Sequence, residues 1–476
     1  MNRASGVLMH ISSLFGNYSI GSFGKEAKYF IDFLKDCGFK YWQVLPFCMT
    51  DEYNSPYKSY SSFAGNLYFV DLQLLYEEGL LTTDEMYSAK QKTPYSCEFD
   101  KLRRERYILL HNASNRTKNK KIIEEYAKEH EFIEEFAYFM ALKEANSGKE
   151  WDQWDNDEID EQTLFTWKFI QYKFFEQWSE IKKYANTNGV KIIGDLPFYV
   201  SYDSCDVWSQ SQLYQLDKSK RPECVAGVPP DYFSEDGQMW GNPLYNWSEM
   251  KKDGYKWWKD RMKHMFKMFD VVRIDHFRGI ESYYSIPSDA VNAKEGKWEK
   301  GPGRELVDAI NSIKGENAVI AEDLGDITED VQALVEYSGF PGMRVFQFGF
   351  LYDSDNIHLP HNYTNNSFAY TGTHDNNTLL GYVWESNDEV RARMLKYCGY
   401  FESDWNKCYD SIIRTVFSSN AGCVILPIQD LLCYGADTRI NTPGKAEGNW
   451  MYRITREQLD SIDKDKYREL NNIYKR

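Results

Sequence analysis

A chain of 476 residues can bury a large core, and a formal net charge of −16 disfavours nucleic acid or an anionic membrane as partner. Aromatic side chains make up 16 % of it, with 35 Tyr and 14 Trp. That exceeds what a core requires and suits a neutral ligand such as a sugar, because Tyr and Trp offer an apolar face with a polar tip.

The first strand candidate runs from Gly6 to Ile11, entered without a long apolar leader. No stretch approaches ~18 apolar residues. The nine cysteines are odd in number and lack a CxxC pair, which argues for reduced thiols and a cytoplasmic protein. Ala27, Phe30, Ile31 and Leu34 then keep helix spacing until Gly38 stops them, and Tyr41 to Leu45 is a second strand closed by Pro46. The stretch 55–66 is a loop rich in Tyr and Ser, of the kind that contacts a ligand.

Residues 71–186 shift to charged, helix-spaced sequence and are expected to form an inserted, mainly helical subdomain. The segment 187–200 holds the third strand, Val190 to Gly194, which delivers Asp195. Residues 201–252 are expected to be an ordered aromatic lid, since loops beyond ~15 residues are usually functional or disordered. Residues 253–476 carry the remaining strands near 271, 319, 344, 369 and 424 and a turn-rich tail. Together with those near 7, 42 and 191 these make eight apolar runs alternating with helices. The expected fold is α/β, a (β/α)8 TIM barrel with inserted subdomains.

Barrel active sites lie at the C-terminal strand ends. His10, Asp195, Asp275, His276, Glu322, Asp323, His374 and Asp375 all fall there. Three carboxylates, Asp275, Glu322 and Asp375, suffice for glycoside chemistry: one attacks the anomeric carbon, one serves as acid and base, and negative charge stabilises the oxocarbenium-like transition state. Arg273, on the same strand face as Asp275, is placed to hold it ionised, and crowding by other carboxylates is expected to raise the pKa of Glu322. A metal hydrolase would use similar residues, but the first strand offers His10 alone and no HExxH occurs. Each Asp taken singly is equally a helix cap or an Asx turn.

The blocks GDLPFYVSYDSCDVW (194–208), AGVPPDYFSEDGQMWGNPLYNW (226–247), VVRIDHFRG (271–279), AEDLG (321–325), GFPGMRVFQF (339–348) and YTGTHDNNT (370–378) resemble the signatures of the 4-α-glucanotransferases, the amylomaltases of glycoside hydrolase family 77. SPYKSYSSFAGN (55–66) and NTPGKAEGNW (441–450) agree, so the likeness runs nearly end to end. The resemblance implies a retaining barrel enzyme, without metal or cofactor, that moves segments between maltooligosaccharides and other α-1,4-glucans. By matching positions it implies Asp275 as nucleophile, Glu322 as general acid/base and Asp375 as transition-state stabiliser. It also places Arg273, Asp195, His276 and His374 around the donor sugar, with Tyr57 stacked on it, Gln238 and Trp240 on the lid, and Asn441 as a sugar contact. Transfer in place of hydrolysis requires a covered site with aromatic acceptor platforms, for which Trp240, Tyr232 and Tyr57 are candidates. Leu67 and the acidic pair Glu235-Asp236 depart from the family pattern.

Overall fold

Strands buried on both faces read as continuous apolar runs, because helices cover one side and barrel interior the other. The computed structural model describes residues 3–230, 234–351, 356–402 and 408–476, and within them the eight expected runs all form strands of one parallel sheet. In chain order the strands are β1 (Ala4–Leu8), β2 (Tyr41–Gln43), β3 (Lys191–Leu196), β4 (Cys224–Val228), β5 (Gln238–Pro243), β6 (Val271–Ile274), β7 (Ser282–Pro287), β8 (Lys297–Lys300), β9 (Ala318–Ala321), β10 (Gly342–Val345), β11 (Ser367–Tyr370) and β12 (Cys423–Pro427). The parallel sheet has the order β10-β11-β12-β1-β2-β3-β6-β9. Its two ends meet where the Ala321 N–H donates to the Pro341 carbonyl at 3.0 Å.

That last seam is closed by a side chain as well. The Asp323 carboxylate, just beyond β9, accepts the Met343 N–H at 2.6 Å and an Arg344 guanidinium N–H at 2.9 Å. Gly342 is required beside it, since a Cβ there would collide with the same carboxylate.

Helices cover the barrel with the faces their spacing implies. Lys25–Cys37 buries Ala27, Phe30, Ile31 and Leu34 and ends at Gly38, whose φ of +81° is the left-handed conformation that glycine adopts freely. The segment 71–186 contains helices Leu72–Glu77, Thr83–Ser88, Phe99–Arg116, Lys120–Glu129 and Glu131–Ala145, and Glu161–Thr187 begins in it. The far half of this last helix lies on the barrel: Trp178 packs edge-on against Phe47 and its indole N–H donates to the Met268 carbonyl at 3.0 Å. The same helix pins the active-site loop, because the Gln171 amide accepts from Gly65 N–H (2.8 Å) and donates to its carbonyl (3.0 Å).

The region after β3 differs from the expected loop-like lid. It carries β4 and β5, which join β7 and β8 in an antiparallel sheet of order β5-β4-β7-β8. The regular strand–helix alternation expected directly after β6 is therefore interrupted by two strands that are not part of the barrel. Their pairing is long-range, with Cys224 opposite Pro287 and Gly227 opposite Tyr284, so local periodicity carries no sign of it. Val225, Tyr284, Ile286 and Ala293 give this sheet a small core of its own. Among the described residues no helix is long and apolar enough to cross a membrane, and none of the nine cysteines is in a disulfide.

Candidate active site

Register decides who meets whom at the barrel mouth. Asp195 on β3 and Arg273 on β6 are cross-strand partners, and Arg273 Nη1 donates to both Asp195 carboxylate oxygens at 2.7 and 2.8 Å. The same nitrogen reaches Asp275 Oδ1 at 2.9 Å. Ile274 and Ala321 are partners one strand further on, so Asp275 and Glu322 leave neighbouring strands at the same level. Asp275 donates its N–H to Leu196 O at 3.0 Å and Glu322 donates its N–H to Ile274 O at 3.1 Å, prolonging the ladder beyond the strands. Neither acts as a helix cap; His276 stands at the head of the turn after β6, without a side-chain capping bond.

Both oxygens of Glu322 are held by backbone: Oε2 accepts from His276 N–H (2.7 Å) and Oε1 from Leu324 N–H (2.9 Å). The first of these depends on His276 adopting φ +48°, ψ +48°. Such a left-handed conformation costs a non-glycine residue about 1–2 kcal/mol. The His276 ring packs against the edge of Trp240, centroids 5.1 Å apart at 86°. Its buried Nε2 has no hydrogen-bond partner among the described residues.

Asp375 arrives from the turn after β11. Its Oδ1 accepts from the Asn441 side-chain amide at 2.6 Å, its Oδ2 lies 3.2 Å from His374 Nε2, and its carbonyl accepts from Arg439 Nη2 at 2.8 Å. Tyr57 ties this side to β3, donating its hydroxyl proton to Asp195 Oδ2 at 2.6 Å while lying 2.9 Å from His374 Nε2. Its ring lies parallel to that of His374, centroids 5.4 Å apart. Gln238 and Trp240 sit on β5, joined by a 3.2 Å bond from the indole N–H to the Gln238 side-chain oxygen Oε1. Tyr232 lies outside the described residues. Glu235 and Asp236 follow, and Asp236 is tied to Lys294 Nζ at 2.7 Å.

Burial rules the protonation states. The Asp275 carboxyl is pushed well above the usual carboxylate range by burial; Arg273 opposes the rise, and Asp195, Glu322 and Asp375 add to it. Arg273 acts on Asp275 in the expected direction, favouring the carboxylate, but the guanidinium is shared with Asp195 and burial outweighs its field. Glu322 is also raised, as expected, but by burial first. Arg273 and the two backbone N–H bonds pull against that rise, and only then does a carboxylate add to it, that of Asp323. Two such neighbours titrate as a unit. His276 is held down at about 3 by burial and then by Arg278, which keeps that ring neutral at ordinary pH, and His374 is lowered by burial against the pull of Asp375. His10, at the end of β1, accepts the Leu45 N–H through Nδ1 and is likewise pushed down to about 3 by burial and His374.

Sequence reasoning gave no hint of Arg439, of the Leu324 amide, or of Asn441 as a partner of Asp375. Leu324 lies in the strand-end block AEDLG, but a backbone amide leaves no mark in a sequence; Arg439 and Asn441 belong to no strand end, and only the Asn-Thr-Pro-Gly turn at 441–444 marked that part of the tail. Among the described residues, no group of three His, Cys, Asp or Glu side chains is arranged to hold a metal ion.

A parallel eight-stranded barrel whose strand ends gather carboxyls round one arginine has the form of a barrel enzyme, and such a set of carboxyls is what glycoside chemistry uses. The family model described as 4-alpha-glucanotransferase, glycoside hydrolase family 77, matches residues 9–459, and the chain belongs to that family. It is 42 % identical over 495 residues to the 4-alpha-glucanotransferase of Streptococcus pneumoniae, covering 100 % of this chain and 97 % of that one. An amylomaltase from Streptococcus agalactiae, solved in complex with acarbose, superposes with a TM-score of 0.95 at 38 % identity and full coverage of both chains. The amylomaltase of Corynebacterium glutamicum, 17 % identical, shares the fold with a TM-score of 0.82 over 98 % of this chain and 75 % of that one.

Proposed function

We propose that this protein transfers segments of α-1,4-glucan between maltooligosaccharides by a retaining double displacement, with Asp275, Glu322 and Asp375 as its catalytic carboxyls. Asp275 attacks the anomeric carbon while Glu322 gives its proton to the departing 4-oxygen. The acceptor's 4-hydroxyl then returns a proton to Glu322 and displaces Asp275, so no water is consumed. The raised pKa of Glu322 suits an acid that must arrive protonated. Its two backbone bonds fix the carboxyl plane and leave a second lone pair on each oxygen for the acidic proton.

Asp275 reacts only as the carboxylate, which makes Arg273 the group that opposes its protonation. Asp375, held by Asn441 and His374, keeps lone pairs for the 2- and 3-hydroxyls of the donor sugar. Asp195, His276 and His374 line that sugar's pocket and Tyr57 forms its wall, while Gln238 and Trp240 cover the bond that breaks. Asn441 acts on the sugar through Asp375. The segments 71–186 and 201–252 serve as inserted units, one bracing the loop of Tyr57 and the other carrying the cover. Reduced thiols support the cytoplasm as the compartment.

The observation that carries this reading is one guanidinium nitrogen within 3 Å of both Asp195 and Asp275 in a chain of this family. Incubation with maltotriose tests it: glucose together with longer maltooligosaccharides is expected. Glucose and maltose alone, with rising reducing ends, would make the protein a hydrolase.

A further inference from the structure

Away from the barrel mouth, an open recess of about 670 Å³ is lined by Glu134, Glu135, Tyr138, Trp208 and Ser209. The first three lie on helix Glu131–Ala145 and the last two on the short helix Cys205–Ser209. Tyr138 is 40 % exposed, and its ring and that of Trp208 stand 6.2 Å apart at 35°. Trp208 is held in place from behind by Phe139 and Trp154, at 5.8 and 6.1 Å.

We propose that this recess is a second binding site for a neutral glucan segment, separate from the catalytic pocket. Building on the glucan reading above, it retains long chains near the site. Its open form lets a chain lie across it, and its aromatic rings with carboxylate acceptors at their edge suit a sugar's apolar face and hydroxyl rim. An anionic ligand is opposed by Glu134, Glu135 and the net charge of −16. A cationic one finds Glu134 already engaged by Lys168 Nζ at 2.8 Å. The short helix is also bonded to the loop that carries Tyr57: Cys205 N–H donates to Tyr60 O (2.8 Å), and Asp206 Oδ2 accepts from Ser62 N–H (2.8 Å). A chain seated here therefore lies beside a loop of the active site.

The test uses the full chain with Tyr138→Ala, alone and with Glu135→Ala, in native gels cast with amylose and in kinetic assays. An aromatic contact of the usual strength predicts roughly three- to tenfold weaker retention and a matching rise in KM for amylose, with maltotriose constants unchanged. Unchanged retention and KM would overturn the proposal, as would an equal loss on maltotriose, which would locate the effect at the catalytic site. Tyr138-dependent binding of choline with no change on amylose would assign the recess to a cation instead. Failure of the wild-type protein to disproportionate maltotriose would sink the catalytic reading, whereas normal disproportionation with Tyr138-independent retention sinks only this one.

Discussion

In the helical segment Lys168 lies between Glu124 (2.9 Å) and Glu134 (2.8 Å), and at the barrel mouth Arg273 lies between Asp195 (2.7 Å) and Asp275 (2.9 Å). The arrangements look alike on a list of ion pairs. In the first, the two carboxylates are 38 % and 34 % exposed, so water solvates them and Lys168 is simply held charged. In the second, Asp195 is sealed from solvent, Asp275 is 28 % exposed and further carboxyls surround it, so the cation cannot neutralise all its neighbours. The difference therefore lies in Asp195: a carboxylate sealed from water takes part of the guanidinium's charge and leaves Asp275 the less compensated, whereas both partners of Lys168 keep some contact with solvent.

Removing Asp275 should separate the two regions most sharply. Asp275→Ala is expected to lower kcat for maltotriose disproportionation by about 10⁴-fold or more, as loss of a nucleophile does, with no loss of folded structure by circular dichroism. Arg273→Lys keeps the charge but not the rigid guanidinium that sets one nitrogen between two carboxylates. A loss of roughly 10²–10³ in kcat is expected, the range for removing one preorganised donor, and the acid limb of kcat/KM should move to higher pH. A limb that stays put would mean that Arg273 does not set the ionisation of Asp275.

A buried carboxyl hydrogen-bonded to neutral groups gives the intermediate case. Asp430 accepts from the Thr371 hydroxyl and from Leu379 N–H (2.8 Å), and burial raises it from 3.8 to about 6. A folded-state pKa above the unfolded one stabilises the fold fully below about pH 4, and that contribution is lost as pH rises through 6. Asp430→Asn, which can still serve both partners, should therefore be more stable than wild type at pH 7, by up to about 3 kcal/mol. Equal stability is expected below pH 4, as read by thermal unfolding at the two pH values. The smallest effect on catalysis belongs to the helical cluster: Lys168→Met should leave maltotriose turnover intact, with its cost confined to thermal stability. A large loss of activity there would erase the distinction between the two regions.

Much of the fold was legible because buried parallel strands are written as uninterrupted apolar runs. Those near 7, 42, 191, 271, 319, 344, 369 and 424 all became barrel strands. Asp275, Glu322 and Asp375 stood out because each directly follows such a run or its turn. The antiparallel sheet was not legible. Ser282–Pro287 and Lys297–Lys300 are short, and β7 finds its partner β4 across some sixty residues, a pairing that no local period encodes. Asn441 and Arg439 were hidden for a similar reason: they reach Asp375 from the far end of the chain.

The sequence by itself determined which residues form the barrel and which acids stand at its mouth, because burial pattern and strand-end position are local properties of a chain. Only the tertiary structure decided how Arg273 is divided between Asp195 and Asp275, that His276 turns left-handed to bring its amide to Glu322, and that Asp275 is pushed toward its protonated form. Those outcomes depend on distances among groups far apart in sequence and on the water excluded between them, and electrostatic energy in a dry pocket is fixed by both.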